Sequence, residues 1–240
     1  MDFRNTYEDD AYAAAYAKLE FPGTYYLAFR DLPEILSRHV AGKQALDFGC
    51  GTGRSTRFLA RSGFDTVGVD IAAEMIRRAH AFDPAGDYRL VADGDLAQFA
   101  TGTFDLVLAA FPFDNIPTAA SKIELFCELR RVLKPRGRII NLVSSPDIYQ
   151  HEWVSFSTRN FPENRQAKCG DPVRIINVAL DDQRPCVDIL WPDEDYRDVY
   201  RKSGLEVLAV HRPLGKADEP YEWVNELDIA PWVIYVLGQT

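Results

Sequence analysis

Short apolar runs alternate with helical stretches through much of the chain. The runs QALDFG, DTVGVD, YRLVAD, FDLVLAAF and RIINLVSS carry continuous apolar or β-branched residues, which is typical of buried parallel strands. Between them, apolar residues at helical spacing predict helices over about 53–62, 72–82 and 118–133. Parallel strands need crossover connections, so this order predicts a doubly wound α/β sheet with helices on both faces.

The segments before and after this alternation have a different pattern. Residues 6–19 and 25–40 carry apolar side chains at helical spacing, and Phe21-Pro22-Gly23 separates them, which predicts two N-terminal helices. Residues 149–171 are polar, aromatic and irregular, and the runs VRIINVAL and CVDILW that follow predict a β-hairpin around Asp181-Asp182-Gln183.

The C-terminal part of the chain returns to the α/β pattern. It contains a predicted helix near 193–203 and two further strands, LEVLAVH and WVIYVL, which bring the predicted sheet to seven strands. We expect a single domain over 1–240. Its parts are a helical cap over 1–41, a core over 42–145, an insertion over 149–192 and the rest of the sheet over 193–240.

Composition restricts the possible partners and cellular location. The 36 acidic and 27 basic residues of the 240-residue chain give a net charge of -9, which disfavours nucleic acid and anionic membranes as partners. No run approaches the roughly 20 apolar residues that span a bilayer, and MDFRNTYEDD lacks the pattern of an export signal. We therefore expect a cytoplasmic monomer or homodimer with free thiols at its four cysteines.

The strongest motif is ALDFGCGTGRS at 45–55, where a buried strand runs into three spaced glycines and then into a helix. Gly49, Gly51 and Gly53 lack a Cβ, so the backbone can take positive φ and approach a ligand closely. The free amides at the start of the helix add donors. This pattern predicts a cofactor site, although the glycine loops of dinucleotide sites use the same device.

Three acidic residues distinguish the two kinds of site. Dinucleotide loops usually read GxGxxG, whereas this loop reads GxGxG and has Asp47 two residues before its first glycine, where a carboxylate repels a pyrophosphate and suits a cationic amino group. Asp70 ends the next strand, where an acid can accept hydrogen bonds from both ribose hydroxyls. Asp93 ends the third strand, within reach of an adenine amino group. The alternative is that Asp70 and Asp93 only cap the helices that follow.

This order and spacing resemble the class I S-adenosylmethionine-dependent methyltransferases over roughly residues 42–145. The resemblance implies S-adenosyl-L-methionine as cofactor, S-adenosyl-L-homocysteine as product, an antiparallel last strand, and packing of Ile71 and Met75 on the adenine. The predicted cofactor residues are Asp47, Gly49, Cys50, Gly51, Gly53, Asp70, Ile71, Met75, Asp93, Gly94 and Phe111.

The methyl acceptor is expected beyond the carboxyl ends of the strands, near 111–115 and 144–147. A sulfonium is an activated donor, so the main task is in-line orientation and exclusion of water, and a base is needed only for a hydroxyl or a protonated amine. Asp114 is the candidate base, unless it forms a turn before Pro117. His151, at the start of the insertion, is a second candidate.

Aromatic residues are concentrated in the two segments that flank the core. They are Tyr7, Tyr12, Tyr16, Tyr25, Tyr26, Trp153, Phe156 and Phe161. We expect them to form a lid over the cofactor mouth, with Phe111 and Phe113 as pocket walls. No pair shows the HExxH or CxxC spacing of a metal site, so no metal is predicted.

These features predict transfer of a methyl group to an O or N atom of a small molecule. The fragments FDNIP and EWVNELDIAPWVIYVL resemble toxoflavin-type methyltransferases, which favours a planar aromatic or heterocyclic acceptor. Two alternatives stay open at this point: a cofactor-binding protein without turnover, and a nicotinamide-dependent oxidoreductase.

Overall fold

A computed structural model describes residues 20–92 and 95–240. Its strands are β1 (Gln44–Phe48), β2 (Asp65–Asp70), β3 (Asp87–Leu90), β4 (Phe104–Ala110), β5 (Leu133–Ser144), β6 (Phe156–Ser157), β7 (Pro172–Asn177), β8 (Cys186–Ile189), β9 (Leu205–His211) and β10 (Trp232–Gln239). Its helices are α1 (Thr24–Arg30), α2 (Leu32–His39), α3 (Arg54–Arg61), α4 (Ala73–Phe82), α5 (Ala119–Val132) and α6 (Asp193–Lys202).

The main sheet has seven strands in the order β3-β2-β1-β4-β5-β10-β9. Strands β1 to β5 pair in parallel, whereas β10 is antiparallel to both β5 and β9. The predicted doubly wound sheet with an antiparallel last strand is therefore confirmed. Because the order reverses at β1, the carboxyl ends of β1 and β4 face a crevice, which is where ligands bind in open α/β sheets.

Successive residues of the central strands pack on opposite faces of the sheet, as the strand period of two requires. In β4, Leu106 and Leu108 join an apolar cluster with residues of α1 and α2, including Leu27 and Ile35. Val107, between them, joins a second cluster with residues of α5 and α6. Burial on both faces explains why these strands are continuous apolar runs.

Two predicted elements differ in their bounds. The helix predicted over 25–40 is two helices, because Pro33 lies in the first turn of α2 and has no N–H to donate to the preceding turn. The helix α5 ends at Val132, and the Lys134-Pro135 segment that follows belongs to β5, which begins five residues earlier than predicted. The helix predicted over 6–19 lies outside the described residues.

The insertion forms a second, three-stranded sheet in the order β6-β7-β8. Its β7–β8 pair is the predicted hairpin. Phe156 of β6 packs edge-on against Tyr25 of α1 and Trp232 of β10, with ring centroids 5.2 and 5.7 Å away. The second sheet thus covers the carboxyl end of the main sheet. None of the described helices is both long and apolar enough to cross a membrane.

Candidate functional site

A cleft of about 580 Å³ opens at the carboxyl ends of β1, β2 and β4. The loops after these three strands line it, and α5 closes one side. Its lining includes Phe48, Gly49, Gly51, Asp70, Ile71, Met75, Val91, Asp95, Phe111, Asn115, Ser121 and Glu124. The cleft is therefore built from the glycine loop and from the ends of the strands that follow it.

The glycine loop takes a backbone conformation that side chains oppose. Gly49, Gly51 and Gly53 have φ values of 74°, 53° and 79°. A Cβ added at Gly51 would meet no atom within 4 Å, and Gly51 lines the cleft. The backbone there is bare on the side where a ligand would approach, which is the role predicted for these glycines.

Asp47 lies fully buried beneath this loop. Its Oδ2 accepts hydrogen bonds from the hydroxyls of Ser55 and Thr56 at 2.7 and 2.6 Å. Its Oδ1 has no hydrogen-bond partner within the described part of the chain, and burial raises the pKa of Asp47 to about 6. A cationic amino group nearby would compensate this buried carboxylate, whereas a pyrophosphate would be repelled.

Asp70 connects the two loops that border the cleft. Its Oδ2 accepts from the Gly51 N–H at 2.8 Å and its Oδ1 from the Ala72 N–H at 2.9 Å. Burial raises the pKa of Asp70. The alternative was that Asp70 caps the next helix, but Ala72 is the N-cap residue of α4 and no described side chain caps that helix. Asp70 also lines the cleft, and each of its carboxylate oxygens keeps a lone pair for a hydroxyl.

The structure brings most of the predicted cofactor residues together. Ile71, Met75 and Phe111 all line the cleft, with Ile71 about half exposed. The Cys50 side chain is different, because it packs into a small apolar cluster with Ile76, Ala79 and Tyr88. Only the Cys50 backbone therefore remains a candidate for cofactor contact. Asp93 and Gly94 lie outside the described residues.

The sequence analysis missed Asp95, which lines the same cleft. Its Oδ1 accepts from the Ala97 N–H at 2.8 Å, in a tight turn after β3. The second acid of the DGD run was visible in the sequence, but only Asp93 was considered because it directly ends the predicted strand.

A second, narrow cavity of about 30 Å³ adjoins the cleft, and Phe111 and Asn115 line both. It lies between the ends of β4 and β5 and the insertion. Its lining includes Tyr25, Asp114, Ser144, Tyr149, Phe156, Asn177, Cys186, Asp188 and Trp232. Such a volume has room for about one water molecule, so a larger molecule enters only if the insertion moves away from the main sheet.

Asp114, the predicted base, lies in this cavity at 5% exposure. It accepts a hydrogen bond from the Ser144 N–H at 3.0 Å. Burial raises the pKa of Asp114, and the nearby Lys122 charge partly opposes that rise. The alternative was that Asp114 only forms a turn before Pro117. It does lie in a short 3₁₀ turn, Pro112–Asn115, but its side chain also lines the cavity.

Asp188, which the sequence analysis missed, faces the same cavity from β8. It accepts from the Tyr149 hydroxyl at 3.0 Å. Burial, and next the charge of Asp114, raise the pKa of Asp188 to about 7. Its only sequence signal was a polar residue within the apolar run CVDILW, because the hairpin that carries it is remote from the glycine loop along the chain.

Phe111 separates the cleft from the cavity. It is the one described residue other than glycine with positive φ, at 72°. Its ring packs against Trp232 and Tyr25, with centroids 4.8 and 5.9 Å away. Strain of this kind concentrates at functional sites.

Two other candidates of the acceptor side lie elsewhere. His151 is half-buried beside Trp153, with ring centroids 6.2 Å apart, and is not among the described residues that line the cleft or the cavity. Phe113 stacks on Phe126 in the core at 4.0 Å instead of forming a pocket wall. We therefore no longer propose His151 as a base, and Asp114 stays a candidate residue of the acceptor site.

The described aromatic residues that were expected to form a lid do not line the cofactor cleft. Tyr25 and Phe156 line the cavity, whereas Trp153 and Phe161 are buried within the insertion. Tyr7, Tyr12 and Tyr16 lie outside the described residues. Across the described ranges, no cluster of three or more His, Cys, Asp or Glu side chains has a geometry that holds a metal ion.

Comparison with known proteins bears on this site directly. A family model described as a methyltransferase domain matches residues 46–141, which include the glycine loop, Asp70 and Asp114. The chain contains a class I S-adenosylmethionine-dependent methyltransferase domain. The cofactor of this family is S-adenosylmethionine, and the buried Asp47 and the bare Gly51 backbone fit its cationic amino acid part.

Individual relatives agree with this assignment. A demethylmenaquinone methyltransferase from Tropheryma whipplei is 40% identical over 106 residues, 42% of this chain and 41% of that protein. An N-demethylindolmycin N-methyltransferase from Streptomyces griseus is 27% identical over 216 residues, 88% of this chain and 90% of that protein. This chain therefore covers about two fifths of the length of the demethylmenaquinone relative.

A solved structure shows the same fold. An S-adenosylmethionine-dependent methyltransferase from Clostridium acetobutylicum superposes with a TM-score of 0.64 at 14% identity, covering 93% of this chain and 94% of that one. At 93% coverage, the fold likeness extends past the matched domain.

Proposed function

We propose that this protein transfers the methyl group of S-adenosylmethionine to an O or N atom of a small, planar molecule. The observation that carries the proposal is the fully buried Asp47, whose Oδ1 has no partner among the residues described, beneath a glycine loop that lines the 580 Å³ cleft. The names of the relatives, a demethylmenaquinone and an N-demethylindolmycin methyltransferase, support a small acceptor.

The cofactor would be held by residues of three loops. Asp47 compensates its ammonium group, Gly51 lets the backbone approach, and Asp70 accepts from the ribose hydroxyls. Ile71 and Met75 provide the apolar wall for the adenine. The bound cofactor supplies an electrophilic methyl group on a positively charged sulfur.

The remaining contribution of the chain is orientation and exclusion of water. Phe111 lies between the cleft and the cavity, so an acceptor in the cavity would face the cleft beside its ring. Tyr25, Phe156 and Trp232 cover this position with aromatic surface. Orientation of two reactants in this way contributes on the order of 7–11 kcal/mol to lowering a barrier.

Titration calorimetry with S-adenosylhomocysteine tests the proposal. Asp70→Ala is expected to weaken binding by about 1–3 kcal/mol, because a charged acceptor of ribose hydrogen bonds is lost. Asp65→Ala is the matched control, since Asp65 begins the same strand and bonds only to Gln44 among the described side chains. No binding to the wild-type chain at millimolar ligand would refute the proposal.

A further inference from the structure

Two carboxylates share the cavity next to the cofactor cleft. Asp114 comes from the turn after β4 and Asp188 from β8 of the insertion, and they are 5% and 8% exposed. Neither forms an ion pair within 4.0 Å with any cation that the structure describes. The charge of Lys122 compensates part of the burial cost of Asp114. Burial of two carboxylates without a direct ion pair is still costly in free energy, and a cationic ligand between them would offset that cost.

Two asparagine side chains in the lining of the same cavity each have one amide atom without a hydrogen-bond partner among the described residues. Asn177 is 3% exposed, and its Nδ2 donates to no other described residue, although its Oδ1 accepts from Ala179. The Oδ1 of Asn115 is likewise buried and has no partner in the described ranges. Buried amide groups are nearly always hydrogen-bonded. Their position in the cavity lining therefore points to a polar ligand that is bound there.

We propose that the acceptor is a basic primary or secondary amine, that its ammonium group binds between Asp114 and Asp188, and that Asp188 removes its proton. This inference rests on the proposed methyltransferase function and narrows its acceptor. Asn115 Oδ1 would accept from a further N–H of the ligand, and Asn177 Nδ2 would donate to an acceptor atom beside the nitrogen.

The reaction then balances in charge and protons. Asp188 takes one proton from the ammonium and becomes a neutral acid, which leaves a lone pair on the nitrogen. That lone pair forms the new N–C bond to the methyl carbon while the S–C bond of S-adenosylmethionine breaks, and its electron pair stays on sulfur. The product is a methylated ammonium, whose positive charge Asp114 still compensates, together with neutral sulfur in S-adenosylhomocysteine.

The surroundings favour Asp188 as the base. It faces the Tyr149 hydroxyl, the Cys186 thiol of its own strand, and Asp114. Asp114 has the Ser144 N–H and, from α5, the charge of Lys122, which keep it ionised to lower pH. The Lys122 ammonium itself donates to the Phe113 carbonyl. The carboxyl with the higher pKa is the stronger base near neutral pH.

The test compares amines with the matched alcohols, using the full chain saturated with S-adenosylhomocysteine for binding and S-adenosylmethionine for turnover. The probes are tryptamine with tryptophol, and phenethylamine with 2-phenylethanol. Each variant is assayed from pH 5.5 to 8.5. Asp188→Asn and Asp114→Asn are the test variants, and Asp171→Asn, an exposed aspartate of the same insertion, is the control.

We expect at least one amine to bind more tightly than its alcohol by about 10-fold or more and to be methylated. Asp188→Asn should lower kcat by about 100-fold or more and remove the rise of turnover with pH near neutrality. Asp114→Asn should mainly raise KM, because it removes charge compensation. Asp171→Asn should behave as the wild type, and affinity for S-adenosylhomocysteine should stay within twofold in all variants.

The outcomes separate the two proposals. If S-adenosylhomocysteine binds but no amine binds better than its alcohol, the amine assignment is overturned and the methyltransferase proposal stands. If Asp188→Asn turns over amines at the wild-type rate, the assignment of Asp188 as the base is overturned. If S-adenosylhomocysteine itself does not bind, the methyltransferase proposal fails first.

Discussion

Positive backbone φ angles mark the residues on which the site depends. Gly51 presents bare backbone to the cleft at φ 53°, and Phe111 holds a bulky side chain at φ 72° between the cleft and the cavity. For a residue with a Cβ this region costs roughly 1–2 kcal/mol. A substitution at Gly51 is therefore expected to change ligand affinity, whereas a substitution at Phe111 is expected to change backbone strain and so the stability of the fold.

Gly51→Ala is expected to weaken S-adenosylhomocysteine binding by tenfold or more, because the new methyl group projects into the cleft. Gly102→Ala is a matched control, since Gly102 has φ 69° and open space around a Cβ but lies outside the cleft lining. Both variants should lose about 1–2 kcal/mol of stability. Calorimetry and urea unfolding measure the two effects, and equal affinities for both variants would contradict this role of Gly51.

At Phe111 we expect glycine to be the better small replacement. Both Phe111→Gly and Phe111→Ala lose the ring contacts with Trp232 and Tyr25, but only alanine retains the strained φ. Phe111→Gly should therefore be about 1 kcal/mol more stable than Phe111→Ala in urea unfolding. The reverse order, which is normal in helices and strands, would show that position 111 relaxes.

Among the elements, one buried side chain links three segments around the cavity. Glu226, in the loop before β10, accepts from the Thr24 hydroxyl of α1 at 2.7 Å and from the Val154 N–H of the insertion at 2.8 Å. It also accepts from the Val224 N–H at 2.9 Å. The Glu226 carboxylate thus joins α1, the insertion and the loop before β10, and it helps to hold the insertion over the main sheet.

Glu226→Gln should destabilise the fold by about 1–3 kcal/mol, because an amide N–H replaces one of two accepting oxygens and leaves buried donors unpaired. Hydrogen exchange should accelerate at the backbone of residues 24–26 and 154–157. Glu222→Gln, an exposed neighbour, should stay within about 0.5 kcal/mol of the wild type. Unchanged exchange in the insertion would mean that other contacts hold it in place.

At the scale of the whole molecule, three aspartate carboxyl groups are buried without an ion pair within 4.0 Å to any described cation. Burial raises the pKa of Asp47, Asp114 and Asp188 above their ordinary value. A folded-state pKa above the unfolded one favours the protonated form, so this stability is present at low pH and is lost as pH rises through the folded pKa. A site built to bind positive charge therefore makes the ligand-free fold less stable near neutrality.

Asp47→Asn tests this linkage. Its stability relative to the wild type should increase by about 1–3 kcal/mol between pH 4 and pH 6.5, since the raised pKa of Asp47 is about 6. Any loss of hydrogen bonds with Ser55 and Thr56 adds an offset that does not change with pH. Urea unfolding across this range measures the difference, and a constant difference would show that Asp47 titrates normally.

The local pattern of apolar and polar residues was sufficient to predict much of the fold. The apolar runs located the strands of the main sheet, and the α5 and α6 bounds came within a residue or two of those predicted. The glycine loop with Asp47 and Asp70 predicted the cofactor cleft, because its residues are neighbours in sequence and the carboxyl ends of parallel strands meet. His151 and the Cys50 side chain were misplaced, since side-chain direction after a loop depends on packing.

By itself, then, the sequence determined the strands of the main sheet and the glycine loop, since each follows from short-range periodicity or spacing. The antiparallel direction of the last strand came from family resemblance. Only the tertiary structure placed Asp188 and Asn177 opposite Asp114, which lies more than sixty residues away along the chain. The way the insertion packs against α1 and β10, through Phe156, brings these residues together. A polar residue in an apolar run does not reveal which distant side chain it will face.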